Sequence, residues 1–443
     1  MHKVLCDFGD AALRGVKAIL DGYIQPMNPN EPLRSHVYLH NNIFFSRALD
    51  TGLDTFKVIQ GDAAAKKSAS RDAHNMGVLH RLDITGLHTL ATVLVEYLGT
   101  RFVCQSVVPG ILHGEKSHSI LYGAIDTLSE LQCNEEMHQL LEDSIGESCM
   151  VATRTIPAFP FTDERMDVIK KNRSDQLHEL ETTDIHVNKT DGKTVEGEEK
   201  LVQVCGPLEM KGILGSDKRK YVLDCTRLTP RDANWVSEGM GGTGCWEAHQ
   251  NVTKPAKFVP STLDDAEWTV CVLRQELVTS YAEMKICEFV KERESVVNRK
   301  VEQSEVEDKK EDPKVENDLS SQVANMAQEW VEVQNEGKGE GKYHLKKEQS
   351  TPSPSTNLEE EFIRSLRYNV NVFIPFIRSS EAVDNTMLLE KDEEESRQMA
   401  LYLWNTVIPN FTKEIRSSSG NGLQLPSDGL SLTEVIHQRG INW

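Results

Sequence analysis

Five cations fall within residues 218–231: Lys218, Arg219, Lys220, Arg227 and Arg231. Clustered ammonium and guanidinium groups bind phosphate oxygens, and Tyr221 and Trp235 nearby supply rings for stacking on unpaired bases. A phosphate-backbone contact at these five residues is the sharper reading; a solvated turn is the plainer one. GMGGTG at 239–244 fits the glycine pattern of a phosphate cradle, but that chemistry needs a strand before it and a helix N-terminus after it. RDANWVSE precedes and CWEAHQNVTKP follows, so a flexible loop is expected. His36 and His40 have helical metal-ligand spacing, yet position 37 is Val where a metalloprotease would carry Glu. No GxSxG elbow, P-loop, kinase set or deaminase signature occurs. No acidic pair stands out as acid and base, so no catalytic residue, metal or cofactor is expected.

The elements that must position the cations are short. KGIL and YVLDCTRL flank the turn GSDKRK at 215–220, so the basic tip faces outward, with Gly215 permitting the turn and Asp217 capping it. Alternation along 221–228 puts Val222, Asp224 and Thr226 on one face and Tyr221, Leu223 and Cys225 on the other. It also sets Asp224 and Arg227 on opposite faces. LVQVCG at 201–206 reads as a further strand. Upstream, Leu13, Val16, Leu20 and Tyr23 space a helix over 7–24, with Asp10 as N-cap and Pro26 and Pro29 ending it. Residues 36–45 read as extended. Strands at 90–98 and 101–109 form a hairpin about Gly99-Thr100. A strand over 120–125 and a helix over 134–145 follow.

The chain has 443 residues, with 49 basic against 69 acidic, a net charge of −20. Bulk charge therefore excludes non-specific coating of nucleic acid, and any such contact must be local. Apolar runs are far short of the ~20 residues of a membrane span. Nine cysteines are scattered without CxxC, as for reduced, mostly buried thiols in a cytosolic chain. From 263 the character is helical, with Val270, Leu273, Leu277, Tyr281 and Met284 on one stripe. Residues 291–360 hold 17 acidic and 11 basic residues and read as a disordered linker. Thr351-Pro352 and Ser353-Pro354 fit proline-directed phosphorylation, with unmodified linker the plainer reading. A helix over 393–416 carries Trp404, Ile408, Phe411 and Ile415, kinked at Pro409. Ser431 and Glu434 form a capping box before a helix that ends at Gly440.

Several strings together resemble the clustered mitochondria (Clu) family: RGVKAILDGYIQPMNPNEP at 14–32, NNIFFS at 41–46, GDAAA at 61–65, DITGLHTLATVLVEYLGTR at 83–101, QSVVPGIL at 105–112, YGAID at 122–126, KGILGSDKRKYVLDCTRLTPRDANW at 211–235, LRQELV at 273–278 and LTEVIHQRGIN at 432–442. The resemblance implies an α+β fold: a Clu domain over 7–250, a joining helix over 263–290, the linker over 291–360 and a helical module over 362–443. It also implies a non-enzymatic, cytoplasmic protein. Such a protein binds mRNAs encoding mitochondrial proteins, keeps mitochondria dispersed, and associates with ribosomes or translation initiation factor 3. Departures are the lack of the family's N-terminal ubiquitin-like region and C-terminal tetratricopeptide array, for which a truncated gene model, a fragment or a shortened paralogue is expected. The competing expectation is a protein-binding scaffold whose Tyr281 or Trp404 stripe docks partner helices.

Overall fold

The computed structural model describes residues 2–52, 59, 61–112, 119–124, 130–158, 201–244, 270–307, 362, 364–374, 377, 383–418 and 429–442. The expected features within 159–200 and 308–360, including Thr351 and Ser353, lie outside these residues. The fold is α+β and divides into two units, one of Met1–Leu273 with Tyr368–Leu401, the other of Arg274–Arg367 with Tyr402–Trp443.

The first unit begins with helix α1 (His2–Leu20) on an antiparallel sheet of β1 (Val37–His40), β2 (Ile43–Arg47), β5 (Thr100–Ser106) and β4 (Thr92–Tyr97), in that order. The buried face of α1 is Ala12, Val16 and Ile19, packed on Phe45, Phe102 and Cys104. Leu13 and Tyr23, expected inward, are exposed. Close approach sets the rotation: a Cβ on Gly15 would sit 2.3 Å from the Phe45 ring, so the face that carries Gly15 with Ala12, Val16 and Ile19 lies on the sheet. Asp10 lies inside the helix rather than capping it. The stop is Gly22 (φ 79°), where Gly22 N–H donates to Ile19 O and Tyr23 N–H to Ala18 O, a Schellman ending reached before either proline.

Residues 36–45 are a hairpin rather than one extended run, because Asn41 and Asn42 both take positive φ (51° and 58°). The second hairpin turns on Leu98-Gly99, one residue earlier than expected, and pairs Tyr97 with Thr100. Helix α2 (Asp62–Leu82) follows β2.

The second sheet runs in the order β3 (Leu87–Thr89), β11 (Lys220–Leu223), β10 (Lys211–Leu214), β6 (Ser119–Gly123) and β7 (Gln132–Cys133). Only the β11–β3 pairing is parallel. Met76 and Leu79 of α2, and Met137 and Leu141 of α3 (Glu135–Leu141), share its core with Tyr122 and Val222. Strand β9 (Leu201–Cys205) pairs with β8 (Thr153–Pro157) as a separate ribbon. The strand expected through 228 stops at Leu223, because Asp224 adopts φ 58° and breaks the alternation assigned to it.

The segment from Tyr368 is threaded into this unit. Tyr368 N–H donates to Met150 O at 2.7 Å, Ala152 N–H donates to Tyr368 O at 2.9 Å, and Val370, Val372, Phe373 and Ile374 are fully buried. Asn371 accepts from Leu208 N–H and donates to Gly206 O. Asp392, in helix α5 (Val383–Tyr402), accepts from both Asn369 and Arg154.

In the second unit, α4 (Gln275–Glu307) continues through 291–307, residues expected in the disordered linker. Leu277 and Tyr281 are buried, Tyr281 against Tyr402 edge-on at 5.7 Å, so this stripe is covered within the unit. Helix α6 (Ile408–Ser418) follows a π turn at Leu403–Val407, which accommodates Pro409 where its ring cannot donate a hydrogen bond. Trp404 is exposed. Ser431 lies within α7 (Gly429–Gln438) rather than capping it. That helix closes at Gly440 (φ 75°), and a Cβ there would sit 2.6 Å from the Leu277 side chain. Among the described residues, no helix is long and apolar enough to cross a membrane.

Candidate functional site

The basic turn is a rigid structure. Gly215 N–H donates to Arg219 O at 2.9 Å, and Lys218 N–H donates to Gly215 O at 3.0 Å. Asp217 accepts from Arg219 N–H at 3.1 Å and from the Tyr221 hydroxyl at 2.8 Å, so it caps the turn as expected. Although partial burial opposes it, the Tyr221 and Arg219 hydrogen bonds hold the Asp217 carboxylate below its ordinary value. The left-handed residue is Lys218 (φ 64°), not Gly215. Gly215 is needed for space, since a Cβ would fall 2.7 Å from Asp217 Oδ1 and 2.9 Å from the Tyr221 ring.

The structure does not bring the five expected cations together. Lys218 and Arg219 are exposed at the tip, where Arg219 also pairs with the Asp217 carboxylate at 3.8 Å. Lys220 pairs with Glu136 of α3 at 2.9 Å, which also draws the Glu136 carboxyl below its usual range. Arg227 is 5% exposed and is not a surface cation. Its guanidinium makes a bidentate pair with Glu209 at 2.8 and 2.9 Å, and also donates to Asn371 Oδ1 and Val370 O. Arg231 is also buried and donates to Phe373 O at 3.1 Å. Burial, helped by nearby Arg227, pulls its pKa down to about 10. Both arginines bond the returning 368–373 segment and are buried, so, contrary to expectation, they do not stand with the exposed cations of the turn. Of the two rings, Trp235 is partly exposed, whereas Tyr221 is buried against His88 at 5.7 Å.

A second charge cluster lies beneath α2. Asp72, Asp224 and Lys211 converge there, with Lys211 Nζ donating to Asp224 Oδ2. Burial is the main cause that lifts Asp72 to about 7, and the Asp224 carboxylate adds to it, against weaker pulls from the Cys225 backbone and Lys211. Among the described residues, Asp72 Oδ1 has no hydrogen-bond partner. Burial works against the Lys211 charge, but Asp224 beside it carries its pKa above the ordinary value. Asp232, buried and bonded to Asn234, is raised by burial to about 6. No spacing rule reveals the Asp72 cluster, because Asp72 and Asp224 come from distant parts of the chain.

The glycine string is pinned rather than flexible. A Cβ on Gly242 would lie 2.0 Å from Val236 O, and Arg397 donates to Gly241 O at 2.7 Å. It contains a 3-10 turn at Glu238–Met240, and residues 245–269, which follow the string, lie outside the described residues. His40 ends strand β1 and His36 precedes it, so the pair lacks helical geometry. Among the described residues, no cluster of three metal-ligating side chains occurs.

The family model for "Clustered mitochondria" matches residues 1–235. This chain belongs to the clustered mitochondria family. It is 30% identical to the clustered mitochondria protein homolog of Dictyostelium discoideum over 442 residues, which is all of this chain and 27% of that protein. The clustered mitochondria protein of Arabidopsis thaliana is 26% identical over 488 residues, covering 100% of this chain and 28% of that protein. Protein clueless of Drosophila persimilis is 27% identical over 473 residues, again across all of this chain and 29% of the relative. The chain therefore spans under a third of the length of these relatives. No solved structure matches it. The clustered mitochondria match ends at Trp235, whereas the first structural unit also takes in residues 368–401.

Proposed function

We propose that this chain is a non-enzymatic part of a cytoplasmic clustered mitochondria protein, acting in the distribution of mitochondria by associating with mRNAs for mitochondrial proteins. Family membership supports the mitochondrial role. The observation that carries the RNA contact is the rigid turn holding Lys218 and Arg219 outward on a chain of net charge −20. Two cations engage about two phosphates, so log affinity falls with log salt at a slope of about −1.4 for a single strand. Ultraviolet crosslinking of wild type and a Lys218→Ala/Arg219→Ala variant tests this: recovered RNA drops with the variant, and unchanged recovery rejects the site. A second reading is a protein-binding scaffold associated with ribosomes or translation initiation factor 3. It is favoured by a groove lined by Asn42, Ser106, Val107, Pro109 and Leu112, on the loop whose Pro109 O accepts from Ser216 N–H of the turn at 2.8 Å.

A further inference from the structure

Helix α2 carries Lys66, Lys67, Arg71 and Arg81 against two acids. Asp62, in its first turn, accepts from Asp50 N–H at 2.8 Å, and Asp72 is buried beneath it. At about 3.6 residues per turn, positions 66, 67, 70, 74, 77 and 81 fall within about 100° of arc, opposite the buried stripe of Ala64, Ser68, Asp72, Met76 and Leu79. Arg81 and His74 are exposed, and Lys66 and Lys67 partly so. Among the described residues, Lys66, Lys67 and Arg81 enter no ion pair. From Lys66 to Arg81 this face is about 22 Å long. Its far end lies close to the basic turn: His80 Nδ1 is 3.5 Å from Thr89 Oγ1 of β3, and β3 runs parallel to the start of β11, with Leu87 beside Lys220. The cationic face therefore begins one strand over from the Lys218–Arg219 turn and runs away from it along α2.

We propose that this face of α2 is a second phosphate-contact site, on which a single RNA strand held at the turn continues past Arg81 to Lys67 and Lys66. The proposal rests on the RNA reading of the turn and extends its footprint from two cations to five. Charge complementarity carries it: on a chain of net charge −20, one helix face offers three cations in line and no acid among them. Asp83, the C-cap residue, lies past the last position of that face. Shape narrows the occupant. Ser70 and Gly77, between the cations, are small, and a Cβ on Gly77 would meet Arg81 Nη1 at 3.7 Å, so a sugar–phosphate chain can lie close. The exposed His74 supplies a ring for stacking on an unpaired base. No bulky apolar side chain stands at these positions to seat an aliphatic peptide or to enter a bilayer.

The test is fluorescence anisotropy of labelled decauridylate on the full chain between about 50 and 200 mM KCl, with decaglutamate as competitor. At about 0.7 per phosphate, five cations give log affinity a slope of about −3.5 against log salt, where the turn alone gives about −1.4. Lys66→Gln/Lys67→Gln/Arg81→Gln is expected to weaken binding by at least about tenfold at low salt and to return the slope to about −1.4, with the unfolding midpoint unchanged. Lys66→Arg/Lys67→Arg is expected to keep the wild-type slope. A wild-type slope of about −1.4, an unmoved slope in the glutamine variant, or displacement by decaglutamate as effective as by unlabelled decauridylate overturns the proposal. The two readings fail separately. Affinity lost in the helix variant but kept in Lys218→Gln/Arg219→Gln strikes the turn alone, and the reverse pattern strikes the α2 site alone. Absence of saturation to about 1 mM at low salt overturns both.

Discussion

Arg227 and Lys218 are nine residues apart and do opposite work. Arg227 is buried with its guanidinium spent on Glu209, Asn371 and Val370, so Arg227→Ala strands a buried carboxylate and costs about 3–5 kcal/mol. Lys218 stands in solvent, and Lys218→Ala stays within about 0.5 kcal/mol of wild type. Chemical unfolding of the two variants checks both values. The sequence groups these cations as one patch but does not show that Arg227 is buried, because Asn371 and Val370 return from a distant part of the chain. Asp72 gives a pH prediction. Its folded pKa of about 7 lies above the ordinary carboxylate value near 3.9, so the folded state holds a proton that the unfolded state has lost. Stability from this group is present below about pH 4, falls as pH rises through the window to 7, and does not fall further above it. Asp232, raised to about 6, adds a smaller decline over the lower part of that window. Asp72→Asn should raise the urea midpoint at pH 8 and remove most of the loss between about pH 4 and 7; an unchanged midpoint at pH 8 would contradict the buried-charge account.

Elements whose signal lies in local turn chemistry were legible, and those built on small residues were not. The 92–106 hairpin was readable from β-branched flanks around a glycine, with its turn one residue off because Leu98 takes a left-handed φ that its side chain does not advertise. Helix α2 escaped notice for a physical reason. Its buried stripe is Ala64, Ser68, Asp72, Met76 and Leu79, with helical spacing but small or polar residues over its first half. Helix α1 was recognised but rotated, since bulk was weighted over spacing and Gly15 marks the true contact. Gly15→Val should therefore destabilise by about 1–3 kcal/mol through forced displacement of Phe45, and an added Phe45→Ala change should recover part of that overpacking loss. Thermal unfolding of the two variants measures it.

At the scale of the whole molecule, the ordered family strings were visible along nearly the full sequence, yet the path of the chain was not. The acidic stretch over 291–360 reads as a separator, whereas the residues beyond it come back into the first unit, where Val370, Phe373 and Ile374 fill the core. Periodicity reports which residues are apolar, not which distant segment covers them. The family match at 1–235 is thus not a complete folding unit: a chain ending at Leu273 should lose cooperative unfolding, and co-expression of residues 362–443 should restore it. The same threading takes Arg227 and Arg231 out of the candidate site by committing them to the returning segment, and Lys220 is taken by Glu136. The central claim is that partner capture belongs to the Lys218–Arg219 turn while the two buried arginines serve only the fold. The most direct measurement is crosslinked RNA recovered per folded molecule, compared between Lys218→Gln/Arg219→Gln and Arg227→Lys. The account predicts loss for the turn variant and wild-type capture for folded Arg227→Lys. Full capture by the turn variant, with loss in folded Arg227→Lys, would contradict it.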